Sequence, residues 1–263
     1  MAGLFEELAH ERTSIGEIVL QRRRMLERGG IDVFEVKLGD EYLMSSLFTA
    51  GETALSNLGL AALGTQSAPL DVVVGGLGLG YTAEAALDHQ STGSLLVVEF
   101  LRPVIDWHAG GLVPMGSRVP NDSRCRIVQG DFFTMAQDPG TGFDPVEMGR
   151  RFDAILLDVD HSPKRHLSGY RGGFYEPEGI FRMSGNLKAG GVFALWSDDE
   201  PEEEFLKVLD QVFDEVHGEV VTFPNPLAER METNGIYIGR IAVDGGHHGR
   251  TVQRREGIQF RGL

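Results

Sequence analysis

Cysteine is nearly absent from this chain, and its scarcity limits the kinds of site the chain can build. Cys125 is the only cysteine among 263 residues, so no internal disulfide can form. Its place in the apolar run CRIVQG indicates a strand residue in preference to a nucleophile. No clustered Cys or His ligands suggest zinc, and His247 and His248 lie among glycines, where solvation is the expected state. The sequence therefore predicts no metal site.

Long apolar runs and an excess of basic residues are also lacking. No uninterrupted apolar run approaches the roughly 20 residues that cross a bilayer. The first residues, MAGLFEELAHERTS, carry acids where a signal peptide carries basic and then apolar residues. We therefore expect a cytoplasmic protein with no membrane partner.

The balance of charged residues limits which partners the chain can bind. The chain has 24 Lys and Arg against 39 Asp and Glu, a formal net charge of −15. Such a surface repels a phosphate backbone, which argues against nucleic-acid binding. It is compatible with a cationic small-molecule substrate, although net charge by itself mainly supports solubility.

From Leu70 onward, short apolar runs alternate with helical segments. The runs are rich in β-branched residues, as in strands buried on both faces of a parallel sheet: LDVVVG, SLLVVE, CRIVQG, FDAILLD and GVFALWS. Helices are predicted near 81–89, 101–110, 174–187 and 201–215. Two last runs, GEVVTFP and NGIYIGRIAV, lie too close together for a crossover helix and predict an antiparallel edge pair. The fold class is α/β, a Rossmann-like doubly wound sheet of seven strands in the order 3-2-1-4-5-7-6.

The N-terminal part lacks this alternation. The capping-box spacing of Ser14 and Glu17 predicts a helix that ends near Gly30. IDVFEVKL and EYLMSSLF then predict a β-hairpin, and the spacing of Thr49 and Glu52 predicts a second helix. The expected organisation is an N-terminal extension over 1–65, a nucleoside-binding catalytic domain over 66–243, and a basic, flexible tail over 244–263.

Residues at the strand ends should form the site, because open α/β sheets bind ligands beyond the carboxyl ends of their strands. The first strand ends in GGLGLGYT, where Gly76, Gly78 and Gly80 allow a tight turn and a close approach of backbone to ligand. The second ends in Glu99 and the third in Gly130-Asp131. Singly, these features also fit a plain turn, an exposed acid and a helix N-cap. Together they favour a nucleoside site.

The fourth strand ends in a run of titratable side chains. Asp158, Asp160 and His161 supply carboxylates and an imidazole at one strand end. An amine acceptor, with a free pKa of about 10, needs such a group to take its proton. The alternative is a capped turn ahead of Pro163, with a solvated histidine.

Three further side chains have two interpretations each. Tyr175 and Trp196 could form walls of an acceptor pocket, although packing at the ends of elements explains them as well. Glu52 could reach the site from the N-terminal part, although a capping role already accounts for it.

These motifs, in this order and spacing, resemble those of spermidine synthases and the wider seven-stranded methyltransferases. The resemblance covers about residues 70–225, through VVVGGLGLGYTAEA, VVEFLRPVID, RIVQGDFF, FDAILLDVDHSP and FYEPEGIFRMSGNLKAGGVFAL. It implies S-adenosylmethionine or its decarboxylated form as cofactor, with Gly76, Gly78 and Gly80 against the methionine portion. It also implies Glu99 at the ribose, Asp131 at the adenine and Asp158 beside the transferred group, in a possible homodimer.

The chain departs from that family at two motifs. Spermidine synthases usually have an Asp in the glycine loop that holds the cofactor amine, and GGLGLG has none. Their Asp-Ser-x-Asp-Pro segment is here Asp-Val-Asp-His-Ser-Pro, from Asp158 to Pro163. Three functions stay open: aminopropyl transfer to an amine acceptor, methylation of a small molecule, or nucleoside binding without catalysis.

Overall fold

A four-stranded antiparallel sheet opens the computed structural model, which describes residues 4–26, 29–65, 68–165, 173–225, 227–243 and 260–262. Its strands follow one another in chain order: β1 (Phe5–Thr13), β2 (Gly16–Met25), β3 (Ile31–Leu38) and β4 (Glu41–Ser45). The predicted hairpin corresponds to β3 and β4 and is confirmed.

The helix predicted up to Gly30 is wrong, because that segment forms β1 and β2. Ile18 and Leu20, two positions apart, are both fully buried, which is the period of a strand. Glu17 does not cap a helix, and its side chain instead accepts a hydrogen bond of 3.0 Å from Arg12 on the paired strand. The alternation of buried residues in β2 is therefore a better guide to this segment than the capping-box spacing of Ser14 and Glu17, which arises because Ser14 lies in the turn between β1 and β2.

Helix α1 (Ala50–Ala61) follows β4, as predicted, but without the predicted cap. Thr49 occupies the N-cap position and its side chain makes no capping hydrogen bond. Gly59 brings α1 close to the main sheet, since a Cβ there would lie 2.7 Å from Leu156 Cδ2. The helix is held by packing on the sheet, and Glu52 in its first turn is left available for another role.

The main sheet has the predicted seven strands in the predicted order. Five are parallel: β5 (Leu70–Gly75), β6 (Thr92–Glu99), β7 (Cys125–Gln129), β8 (Phe152–Leu157) and β9 (Leu187–Ser197). The antiparallel edge pair consists of β10 (Glu215–Asn225) and β11 (Arg230–Arg240). The order β7-β6-β5-β8-β9-β11-β10 confirms the prediction, and a short strand, β12 (Phe260–Gly262), pairs in parallel with β10.

Helices cover both faces of this sheet. They are α2 (Tyr81–Asp88), α3 (Arg102–Ala109), α4 (Phe132–Ala136), α5 (Pro177–Ser184) and α6 (Glu203–Leu209). One apolar core includes residues of α1, α2, α3 and the N-terminal sheet, and a second includes residues of α4, α5 and α6. The doubly wound arrangement therefore places the N-terminal sheet on one side, where it can reach the strand ends.

Two expectations concern parts of the chain that the structure describes only in part. Residues 244–259 and 263, most of the tail expected to be flexible, and with them His247 and His248, lie outside the described residues. Among the described residues, no helix has the length and apolar character needed to span a membrane.

Candidate active site

Two adjoining cavities lie at the carboxyl ends of the parallel strands. The larger, about 370 Å³, extends from Glu99 and Asp131 to Asp158, and the smaller, about 60 Å³, extends from Asp158 to Glu52. Both are lined by Gly78 and Asp158, so they adjoin across these residues. Side chains of the N-terminal sheet line the larger cavity as well: Ile15 from its first turn, Ile18, Val36, Leu43 and Met44.

The glycine loop has the close contacts that its sequence predicts. Gly76, Gly78 and Gly80 have φ values of 93°, 49° and 97°, in the region that favours glycine. A Cβ on Gly76 would lie 2.1 Å from the carbonyl oxygen of Asp158, and one on Gly78 would lie 2.7 Å from Met44 Sδ. The loop therefore joins the fourth parallel strand to the N-terminal sheet across the site.

Glu99 ends β6 and is buried, not exposed as one interpretation of the sequence allowed. Its Oε2 accepts a hydrogen bond of 2.9 Å from the Leu77 amide, and its Oε1 accepts one of 2.7 Å from the Leu101 amide. Burial raises the pKa of Glu99, and these backbone donors oppose that rise. The backbone amides of Gly78 and Phe100 favour the ionised form as well, and Glu99 lines the larger cavity.

Asp131 is both an N-cap and a lining residue of the larger cavity. Its carboxylate accepts hydrogen bonds from the Phe133 amide at 3.1 Å and from Thr134 Oγ1 at 2.8 Å. The capping alternative is therefore confirmed, and it coexists with a place in the cavity wall.

Asp158 lies where the two cavities meet. Burial raises its pKa to about 6, while a hydrogen bond of 2.5 Å from Thr82 Oγ1 acts to lower it. Glu52 lines the smaller cavity, and burial, followed by the charge of Asp158, raises its pKa to about 8. The sequence had offered Glu52 a place in the site as the weaker alternative, and it gave no signal for Thr82 beyond its position after the glycine loop.

Asp160 and His161 are placed differently from Asp158. Asp160 is buried, and one of its oxygens accepts a hydrogen bond of 2.9 Å from the hydroxyl of Tyr175. His161 lines the smaller cavity, with Nε2 3.0 Å from Glu41 Oε1 at the start of β4. The structure therefore places His161 in the wall of the smaller cavity. Asp160 lines neither cavity and is hydrogen-bonded to Tyr175 instead.

The lining of the site is acidic. Four carboxylates line the two cavities: Glu52, Glu99, Asp131 and Asp158. Among the residues that the structure describes, no lysine or arginine lines either of them. A site with this charge favours a cationic ligand and disfavours an anionic one. Trp196 and Tyr81 complete the walls of the smaller cavity.

Comparison with known proteins gives two kinds of similarity. No family model matches the chain. Polyamine aminopropyltransferase 2 of Pseudomonas aeruginosa is 27% identical over 179 residues, which are 61% of this chain and 44% of that protein. The polyamine aminopropyltransferase of Pyrobaculum islandicum is 25% identical over 185 residues, 70% of this chain and 58% of that protein. The matched regions thus span about half the length of these curated relatives.

Solved structures show the same fold at lower sequence identity. A spermidine synthase in complex with the transition-state analogue AdoDATO superposes with a TM-score of 0.68 at 16% identity, covering 90% of this chain and 74% of that one. The spermidine synthase of Thermotoga maritima gives a TM-score of 0.67 with the same identity and coverage. The chain therefore has the fold of these spermidine synthases and sequence similarity to the two polyamine aminopropyltransferases.

Proposed function

We propose that this chain transfers an aminopropyl group from decarboxylated S-adenosylmethionine to a small amine. The observation that carries the proposal is the pair of adjoining cavities whose described carboxylates, from Glu99 through Asp158 to Glu52, are not balanced by Lys or Arg in their lining. Its two ends suit the two parts of such a donor, a ribose that offers hydroxyls and a tail that is positively charged. The names of the two curated relatives support the same chemistry. Assembly as a homodimer and a cytoplasmic location stay predictions.

Four residues of the larger cavity and the glycine loop would contact the donor. Glu99, fixed by two backbone amides, accepts the ribose hydroxyls, and Asp131 accepts a hydrogen bond from the adenine amino group. Gly76 and Gly78 let the backbone approach the ligand. Decarboxylated S-adenosylmethionine, when bound, supplies a carbon made electrophilic by the neighbouring sulfonium.

Asp158 is the residue that holds and deprotonates the acceptor amine. The attacking nitrogen needs a lone pair. As its bond to the aminopropyl carbon forms, the bond from that carbon to the sulfonium sulfur breaks, methylthioadenosine leaves with the electron pair, and the nitrogen loses a proton. With a pKa of about 6, Asp158 is largely ionised at pH 7 and accepts that proton, while Thr82 fixes its orientation. His161, on the wall of the smaller cavity beside Glu41, is the other titratable side chain that the sequence proposes for this task.

Product analysis tests this function. The chain is incubated with decarboxylated or intact S-adenosylmethionine and with putrescine, spermidine or other amines, and products are identified by mass spectrometry. We expect an aminopropyl mass on an amine. Asp158→Asn should lower kcat by at least about 100-fold, because it cannot take a proton, and should leave methylthioadenosine affinity nearly unchanged.

The matched control is Asp106→Asn, which changes an exposed carboxylate on α3 that pairs with Arg102. It should leave kcat and affinity unchanged. A methyl mass on the acceptor would replace aminopropyl transfer by methylation, and tight nucleoside binding without any product would indicate a binding module.

A further inference from the structure

Glu52 has a carboxylate that the proposed reaction has not yet used. It lies in the first turn of α1, where helix capping would have explained it, but the cap at Thr49 is made without side chains. Its carboxylate instead lines the smaller cavity with Asp158, Gly78 and Gly80. A largely buried acid that shares a cavity wall with a second buried acid is costly to ionise, and such pairs occur preferentially at binding and catalytic sites.

The smaller cavity has the size and charge of a site for one ammonium group. Its volume of about 60 Å³ holds a short chain of atoms but not a nucleoside, which requires the 370 Å³ cavity next to it. Among its described lining residues the one basic side chain is His161, and Glu41 already lies 3.0 Å from that imidazole. Asp158, and Glu52 when it is ionised, therefore have no Lys or Arg among the described lining residues to balance their charge within the cavity.

The position of Gly78 indicates that the ammonium group belongs to the donor and not to the acceptor. Gly78 lines both cavities, so a donor whose ribose lies at Glu99 passes the glycine loop and extends its tail into the smaller cavity. We propose that Glu52 binds the ammonium at the end of that tail and thereby selects decarboxylated S-adenosylmethionine over the intact molecule. This inference rests on the proposed function. The intact donor also carries a carboxylate on the carbon that bears its ammonium, and that carboxylate would be repelled by Asp158 and by Glu52 once the ammonium has ionised it.

The protonation state of Glu52 and Asp158 can be measured as proton release on binding, and a purely structural role for Glu52 would not produce that release. Burial and the charge of Asp158 raise the pKa of Glu52 to about 8, so Glu52 holds a proton at pH 7. Tyr81, whose own pKa is raised by burial, and the His161–Glu41 pair are the other titratable groups around this cavity. An ammonium favours the ionised carboxylate, so binding of the donor should release a proton from Glu52.

The experiment is calorimetric titration of the whole chain with three ligands. Decarboxylated S-adenosylmethionine has the ammonium alone, the intact molecule has ammonium and carboxylate, and methylthioadenosine has neither. The unmodified chain should bind the decarboxylated form at least about tenfold more tightly than the intact form, the size expected for a charged hydrogen bond. Glu52→Gln should reduce that preference to within about threefold and leave methylthioadenosine affinity unchanged, and Glu52→Asp should retain part of it.

Proton release is measured in the same titrations by repeating them at pH 7 in buffers of different ionisation enthalpy. The unmodified chain should release a proton with the decarboxylated donor, and Glu52→Gln should not. Glu203→Gln is the matched control, since Glu203 is an exposed first-turn acid that pairs with Lys207 on α6. It should behave as the unmodified chain does.

Folding of the variant is checked by thermal denaturation without ligand. The raised pKa of Glu52 means that its contribution to stability is lost as pH rises from about 4.5 through about 8. Glu52→Gln should therefore become more stable relative to the unmodified chain between pH 5 and pH 9.

The outcomes separate the two proposals. An unchanged preference in Glu52→Gln, with methylthioadenosine still bound, would overturn this inference and leave the proposed function standing. A preference of the unmodified chain for the intact donor would also overturn it. A chain that binds none of the three ligands would overturn the proposed function, and this inference with it.

Discussion

At the scale of single residues, the hydrogen bond from Thr82 to Asp158 sets the pH range in which the buried carboxylate is ionised. Burial raises the pKa of Asp158 to about 6, and the Thr82 hydroxyl, 2.5 Å from Oδ2, favours the ionised form and limits that rise. Thr82 is itself buried in the first turn of α2, so water is poorly placed to substitute for its hydroxyl.

Thr82→Val removes that donor with little change in shape. We expect the pKa of Asp158 to rise, so the acid limb of the kcat/KM profile should move to higher pH by about one unit. Because the limb reports a coupled pair, the shift belongs to Asp158 and Glu52 together. The measurement is kcat/KM from pH 5 to pH 9. Thr82→Ser keeps the hydroxyl and should keep the original limb, whereas an unmoved limb in Thr82→Val would remove Thr82 from the mechanism.

Residue by residue, the sequence could place an acid at a strand end but not the direction of its side chain. Glu99, Asp131 and Asp158 follow parallel strands, and all three reach the cavity. Asp160 is two positions after Asp158, and the chain turns it toward the hydroxyl of Tyr175. The place of Glu52 in the site was harder to predict, because it depends on how α1 packs against the sheet. No local sequence pattern indicates that packing.

At the scale of elements, helix α4 follows Asp131, a residue whose side chain both caps the helix and lines the larger cavity. It is only five residues long, and Asp131 satisfies the Phe133 amide at its start. A short helix depends strongly on such a cap, since its remaining amide donors have few partners. The same carboxylate lies in the cavity wall, so capping and adenine recognition cannot be distinguished by removing it.

Two substitutions separate these roles. Asp131→Ala should cost about 1 kcal/mol of unfolding free energy through loss of the cap, whereas Asp131→Asn, a good capping residue, should cost much less. If Asp131 also accepts the adenine amino group, both variants should weaken methylthioadenosine binding. Chemical denaturation and ligand titration on the same samples measure the two effects. Normal affinity in Asp131→Ala would leave Asp131 as a cap alone, because the amide oxygen of Asp131→Asn can still accept a hydrogen bond.

Among the elements, periodicity predicted the main sheet well and the N-terminal part poorly. The runs from Leu70 onward are continuous apolar strands, and their spacing leaves few topologies, so order and direction follow from general rules. In β2, Arg22 and Arg23 interrupt the apolar pattern, and a capping-box spacing suggested a helix instead. Those arginines pair with Glu6 on β1 and Glu35 on β3, and such contacts between strands are not visible in a local window.

At the scale of the whole molecule, the two ends of the parallel sheet are charged in different ways. The carboxyl ends carry acids without balancing Lys or Arg among the described lining residues. At the amino ends, Asp71 at the start of β5 bonds to Lys188 Nζ at 2.7 Å and to Arg150 Nη2 at 2.6 Å. The chain thus has ion pairs at one end of its sheet, and at the other end it has carboxylates that suit the cationic ligand proposed above.

Asp71→Asn tests this separation. Burial acts to raise the pKa of Asp71, but hydrogen bonds from Lys188, Ser94 and Arg150 lower it to about 2. A lowered pKa means that the stabilisation is complete above about pH 4 and is lost as pH falls toward 2. After allowance for solvent screening, Asp71→Asn should lower the free energy of unfolding by about 1–2 kcal/mol at pH 7.

The pH dependence and the ligand affinity distinguish this from a general loss of structure. The difference between Asp71→Asn and the unmodified chain should shrink between pH 4 and pH 2 in chemical denaturation. Methylthioadenosine affinity at pH 7 should be unchanged, because β5 separates Asp71 from the glycine loop by about 3.3 Å for each of its six residues. A loss of affinity that accompanies the loss of stability would mean that the ion pairs at the amino ends also hold the site together.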